Sequence, residues 1–376
     1  MGRGLVRQIL TLSAALLLCL SGRGEAQSIL NTECIDGVEY VRFHDVCHKY
    51  KLRPKASENG MTTYGGSHRV SLVPSRQDFY VNNYRYVLSY PIRSHGGHLM
   101  ISSTDVSKLV DPVLNPKFSQ NAATLRTVVI DPGHGGHDAG AISPFAREKD
   151  CNLAVGLKLR RLLRERGYKV VMTRDTDVFL TLQQRVQIAN SCPDSIFVSI
   201  HHNSGRSLAE GIETFTLAPH GTTSPFARTR RTEDLSGNDQ DSENIALATA
   251  VHSRAIQATK ATDRGIQRAR FSVLCTIKRP AILFEGGFVS NPTEGKLITS
   301  PRYQDKLALS ICKGIEAYGA IVCKKAPGKK AGGNNTRVAV KGTGGKVRTS
   351  ISGAQLGRGV ISSQNRSKQQ KGHKRG

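Results

Sequence analysis

Four short segments of this chain gather residue types that can do hydrolytic chemistry on a metal. The first is Asp131-Pro132-Gly133-His134-Gly135-Gly136-His137-Asp138, just past a β-rich apolar run. The second is Arg147-Glu148-Lys149-Asp150, at the start of a helical pattern, and the third is Ser199-Ile200-His201-His202-Asn203, which follows Ile196-Phe197-Val198. Two imidazoles and one carboxylate on zinc leave a coordination position open for water or substrate, which is the catalytic arrangement and not the closed structural one. Glycines around His134 let backbone crowd a ligand and fit a turn better than a core. His137, three residues on, is either a further site residue or a turn histidine. His202 is disfavoured as a ligand beside His201, because neighbours on an extended strand point to opposite faces. The fourth segment is Glu285, which ends the apolar run Pro280-Ala281-Ile282-Leu283-Phe284. A carboxylate there is costly to bury without a task. Beside an activated water it can accept a proton and later return it to a leaving amine. Taken singly, each has a plain reading: a turn histidine, or a helix N-terminal acid favoured by the dipole.

These residues need a frame. From residue 126 to about 320, strand and helix patterns alternate. Strands are expected at Arg126–Ile130, Tyr168–Met172, Ser195–Ile200, Ile212–Leu217 and Ala281–Phe284. Helices are expected at Asn152–Arg166, Leu182–Asn190 and Glu243–Thr259, with a last one whose face carries Tyr303, Leu307, Ile311, Ile315 and Tyr318. This pattern predicts an α/β domain of three layers, a twisted and mostly parallel sheet between helices, over residues 123–322. The open end of such a sheet, past its strand ends, is where ligands bind. Residues 27–122 read as a small β-rich accessory domain of hairpins, with one helix near Phe43–Tyr50. Leu109–Pro116 reads as an extended linker, since proline holds its neighbours out of helix.

The segments together resemble the zinc-dependent N-acetylmuramoyl-L-alanine amidases, a family of cell-wall hydrolases. The likeness runs from about Arg126 to Tyr318, with its pieces in family order. They are the DPGHGG turn, Glu148-Lys149, Thr173-Arg174-Asp175 with Asp177, Leu182 with Arg185, Ala189-Asn190, the strand ending in His201, Gly211-Ile212-Glu213, Pro280–Leu283, and Glu285 with Gly287-Phe288-Val289-Ser290-Asn291. The resemblance implies that His134, Glu148 and His201 hold Zn2+ and that Glu285 is the catalytic base and acid. Asn203 and Asn291 are assigned to the substrate. The reaction implied is hydrolysis of the amide between N-acetylmuramic acid and the L-alanine of the stem peptide. Arg174 and Arg185 are expected in structural ion pairs. His202 and Gly286 depart from the residues usual in the family. Ala218–Asp241 shows no apolar periodicity for a helix that would plug the site. The accessory domain loosely resembles the N-terminal-like module of copper amine oxidases, with no copper chemistry implied.

The rest of the chain bears on where this happens. The net charge is +25, and 14 Lys or Arg with no Asp or Glu lie after Cys323. Residues 323–376 therefore read as a disordered basic tail suited to anionic cell-envelope polymers. The tail has no Phe, Tyr or Trp for base stacking, so nucleic acid is not expected as a partner. Arg3 and Arg7, the apolar run Ile9–Leu20 and the small residues Gly24 and Ala26 make residues 1–26 a secretory signal, too short for a comfortable span. The protein is thus expected outside the cytoplasm, in the periplasm or at the wall, and not transmembrane. Cys34 with Cys47 is the easiest local disulfide to imagine there. Two competing functions remain: a zinc hydrolase of another amide, and a wall-binding protein without turnover.

Overall fold

The computed structural model describes residues 30–57, 60–116, 125–224 and 232–322. The expected secretory signal and basic tail lie outside the described residues. The described residues fall in one compact unit.

The chain opens with β1 (Thr32–Ile35), β2 (Val38–Arg42), α1 (Phe43–Lys49), β3 (Arg53–Ser57), β4 (Gly60–Gly65), β5 (His68–Leu72), β6 (Asp78–Val81), β7 (Tyr84–Val87), β8 (Arg93–His95) and β9 (His98–Ser102). Two-residue turns join several of them. Asn82 and Asn83 both take positive φ between β6 and β7, the geometry that matches strand twist in a tight hairpin. Then come α2 (Ser103–Asp105), a π-helical turn (Val106–Val110) and α3 (Asp111–Leu114). Here the expectation of an extended linker is corrected: the segment is helical as far as Leu114. Pro112 falls in the first turn of α3, where its missing N–H costs nothing, and the helix ends before Pro116. Cys34 is exposed and Cys47 buried, and both are free thiols.

The remainder runs β10 (Thr127–Pro132), α4 (Glu148–Glu165), β11 (Lys169–Met172), α5 (Leu182–Asn190), β12 (Ser195–Asn203), β13 (Ile212–Leu217), a 3-10 turn (Ser236–Gln240), α6 (Asp241–Thr259), β14 (Asp263–Ala269), α7 (Ser272–Cys275), β15 (Ala281–Phe288), α8 (Pro292–Ile298) and α9 (Pro301–Val322). Strands β11-β10-β12-β15 are parallel neighbours, and β13 pairs antiparallel with β15 and parallel with β14. Side chains alternate between two cores. Val128, Ile130, Val198 and Phe284 pack with α4, α6 and α9, whereas Val129, Phe197, Phe215 and Leu283 pack with α5 and α7. This is the three-layer α/β arrangement.

The β-rich N-terminal region extends this sheet. β7 joins β14 in parallel through Ile266 and Tyr86, and β6, β5, β4 and β3 follow in antiparallel order. A separate four-stranded sheet, β1-β2-β9-β8, completes that region. No helix among the described residues is long and apolar enough to cross a membrane.

Candidate metal centre

The centre is built at the carboxyl ends of β10, β12 and β15. Beyond β10 the chain turns sharply, and His134 takes a left-handed φ of 61°. Such a backbone is uncommon for a residue with a side chain. It is held by two buried guanidinium groups. Arg185 donates to Pro132 O (3.0 Å) and His134 O (2.8 Å), and Arg174 donates to Pro132 O (2.9 Å) and Gly133 O (2.8 Å). Arg185 also pairs with Asp131 at 2.7 Å, both almost fully buried, while Thr173 and Ser199 donate to the same carboxylate. Arg185 is thus in the expected ion pair. The donors of Arg174 go to backbone carbonyls instead, including Lys149 O. The far half of the turn is tied by Asp177, which accepts from Gly136 N and from Lys149 Nζ.

His134, Glu148 and His201 bring one donor atom each to within 4.8 Å of one another. Glu148 Oε1 lies 3.2 Å from His134 Nε2 and 2.8 Å from His201 Nδ1, and the two rings stand edge to face. Glu148 is the first residue of α4, and its other oxygen accepts from Ala141 N at 2.9 Å. Burial alone would raise the Glu148 carboxyl, but the two imidazoles hold it well below the usual carboxylate range. Burial likewise opposes charge on His134, and Glu148 and Asp138 outweigh it and raise the imidazole. Asp138 Oδ2 sits 2.8 Å from His134 Nδ1 and fixes the ring so that Nε2 faces the cluster.

The surroundings fit a metal. A Cβ on Gly133 would lie 2.2 Å from the His201 ring, and one on Gly140 would lie 2.6 Å from Glu148 Oε2 and from His134 Cδ2. Only glycine leaves the two imidazole rings that space. The donor set, two nitrogens and one carboxylate, suits a metal ion with a position left open.

Glu285 is in register with His201 on the neighbouring strand and with Glu213 on the other side. Its Oε2 is shut away from solvent with no hydrogen-bond partner among the described residues. Burial, reinforced by the charges of Glu148 and Glu213, raises its carboxyl well above the usual range.

The other expected residues divide. His202 is buried against Asn152 (2.8 Å) and stays out of the cluster, while His137 stacks on Phe179. Asn203 Nδ2 donates to Glu213 Oε2 at 2.9 Å, and its Oδ1 accepts from Ser204 N. Asn291 is 6% exposed, caps α8 with Oδ1 and donates to Ser207 O. A direct substrate contact by Asn291 would cost one of these bonds. Sequence reasoning gave no role to Asp138, Asn152 or Glu294. Asn152 donates to Gly133 O and to Glu148, and Glu294 draws together Phe288 N and Gly211 N. The His-x-x-x-Asp spacing of His134 and Asp138 was the one available signal.

The sequence pattern of the family described as N-acetylmuramoyl-L-alanine amidase matches residues 128–317, half of the chain. AmiC of Escherichia coli O6:H1, an N-acetylmuramoyl-L-alanine amidase, is 33% identical over 57% of this chain and 58% of its own length. AmiA of Escherichia coli, another such amidase, is 30% identical over 58% of this chain and 84% of its own. Among solved structures, the catalytic domain of CwlV, an N-acetylmuramoyl-L-alanine amidase from Bacillus (Paenibacillus) polymyxa var. colistinus, is 35% identical. That match covers 52% of this chain and 99% of that one, with a TM-score of 0.44. The residues around the turn, the cluster and Glu285 all lie inside the matched span, and this chain belongs to the N-acetylmuramoyl-L-alanine amidase family of peptidoglycan hydrolases.

Proposed function

We propose that the protein is a zinc-dependent amidase acting outside the cytoplasm, with His134, Glu148 and His201 as the metal ligands and Glu285 as the base and acid. The observation that carries this is the convergence of the three donor atoms beside Glu285, one of whose carboxylate oxygens has no partner among the described residues. Zinc in such a set supplies electrophilic pull on the amide carbonyl and eases the ionisation of water.

The chain's own residues supply the rest. Arg174 and Arg185 hold the His134 turn, and Asp138 orients the His134 ring. Glu285 takes a proton from the attacking water. Glu285 keeps that proton until the C–N bond breaks, when the proton passes to the nitrogen of L-alanine. The products are the muramic lactyl carboxylate and a stem peptide with a free amino terminus. Asn203, braced by Glu213, would face the substrate at the strand end. The basic tail would hold the enzyme near anionic envelope polymers, and residues 1–26 would direct export.

The test is mass spectrometry of purified peptidoglycan digested by residues 27–376 with zinc, beside Glu285→Ala and a chelated control. Stem peptides beginning with free L-alanine, absent from both controls, are expected. Intact peptidoglycan with zinc demonstrably bound would point to another amide substrate, and neither zinc nor product would favour a binding protein.

A further inference from the structure

We propose that the cavity beside His134 and His201 receives the uncharged N-acetylated sugar ring of the substrate, while the acidic stem peptide leaves away from it. This rests on the amidase reading and adds an orientation to it. The cavity, about 520 Å³, is lined by apolar Phe179, Leu182, Val273 and Leu283 together with the two histidines, Asp138 and an Arg185 that is bound to Asp131. That volume is in the range of a small-ligand site.

Its mouth is apolar and open to water. Phe179 is 41% exposed and Leu182 53%, next to Val178 at 46%. Neighbouring exposed apolar groups of this size mark a contact surface more often than chance. The Phe179 ring is backed by His137 at 4.1 Å between centroids, so it presents a braced flat face. The C–H face of a pyranose ring, or an acetyl methyl, suits such a surface.

Charge argues against the stem. One carboxylate of this lining, Asp138, keeps 42% of its side chain in solvent. The cations nearby are committed: Lys149 to Asp177, Arg185 to Asp131, and Arg174 to backbone carbonyls. A stem peptide bearing free carboxylates would meet negative charge with no cation to receive it. An exposed arginine without a carboxylate partner among the described residues lies elsewhere, at Arg206 in the loop after β12. Connectivity agrees, because the lactyl ether joins the sugar to the scissile amide through only a few bonds. The ring therefore lies within reach of this cavity when the amide is at the cluster.

The test compares two substrates with the same stem: N-acetylmuramoyl peptide, and a D-lactyl peptide that lacks the sugar. The Phe179→Ser, Leu182→Ser double variant alters exposed groups, so folding is expected to persist and is checked by thermal melting. The kcat/KM for the muramoyl substrate should fall roughly tenfold or more, while that for the lactyl substrate stays within about twofold. An equal loss on both substrates, or no loss on either, overturns the assignment. Wild-type enzyme inactive on both would overturn the amidase reading along with it.

Discussion

Replacing Arg185 with lysine should weaken zinc binding while keeping the fold. The guanidinium is 3% exposed and donates to Asp131 Oδ1, Pro132 O and His134 O at 2.7, 3.0 and 2.8 Å. Lysine keeps the charge, so Asp131 keeps its counter-ion. That avoids the roughly 3–5 kcal/mol expected when one partner of a buried pair is deleted. A single ammonium cannot reproduce the planar fork that reaches Asp131 and His134 O together. At least one charge-assisted bond is lost, at about 1.5–3 kcal/mol. At roughly 2–4 °C per kcal/mol for a domain of this size, Tm should fall by about 3–12 °C. The released carbonyl belongs to His134, whose left-handed backbone then loses a restraint. Losing such support costs roughly 10–100-fold in metal affinity. The assay is competition for zinc against a chromophoric chelator, with a melt of the metal-free protein beside it. A lowered Tm with zinc affinity within about twofold of wild type would refute the reasoning, since Arg185 would then serve the fold alone.

Other outcomes follow from the same geometry. Glu285→Gln should retain zinc, read by metal analysis, and lose roughly 10²–10⁴-fold in kcat; a smaller loss would mean that another group carries the proton. Burial pushes His202 down to about 4, with His201 adding and Glu148 opposing, so the fold favours the neutral ring. That stability is present above about pH 6.5 and is lost as the pH falls through about 4, a swing of roughly 3 kcal/mol. Urea titrations at pH 7 and pH 4 should show the swing in wild type and a smaller one in His202→Gln. Deleting residues 324–376 should weaken salt-sensitive binding to sacculi and spare turnover of soluble fragments, and unchanged sacculus binding would exclude the tether.

How much was legible depended on where each element's information lay. Helix α5 was readable to both ends, and its start is fixed by the capping box of Thr181 and Gln184. Helix α4 starts at Glu148, as its place at a helix start implied, although the apolar pattern begins only at Asn152, because the first turn directs Glu148 toward His134 and His201. β14 was missed. Its sequence Asp-Arg-Gly-Ile-Gln-Arg-Ala looks exposed, yet Arg268 in it is 4% exposed. The segments that converge at His134, Glu148 and His201 could be recognised from their residue types and order. Arg185 was expected in a structural ion pair and makes one with Asp131, but the bonds of Arg174 and Arg185 to backbone carbonyls were not legible, because an acceptor present in every residue leaves no mark on the sequence.

The accessory strands and the metal centre are physically joined through β14. Without β7, β14 would be a sheet edge with unpaired backbone groups. Arg85 at β7 donates its N–H to Asp263 and its side chain to Arg264 O, and Asp263 in turn holds buried His252, which meets Thr214 on β13. Arg264 donates to Glu213, the carboxylate that receives Asn203 and lies in register with Glu285. A contact made by the N-terminal strands is therefore three side chains from the proposed base. The β-rich region thus works as lateral support for the catalytic sheet, whatever else it binds.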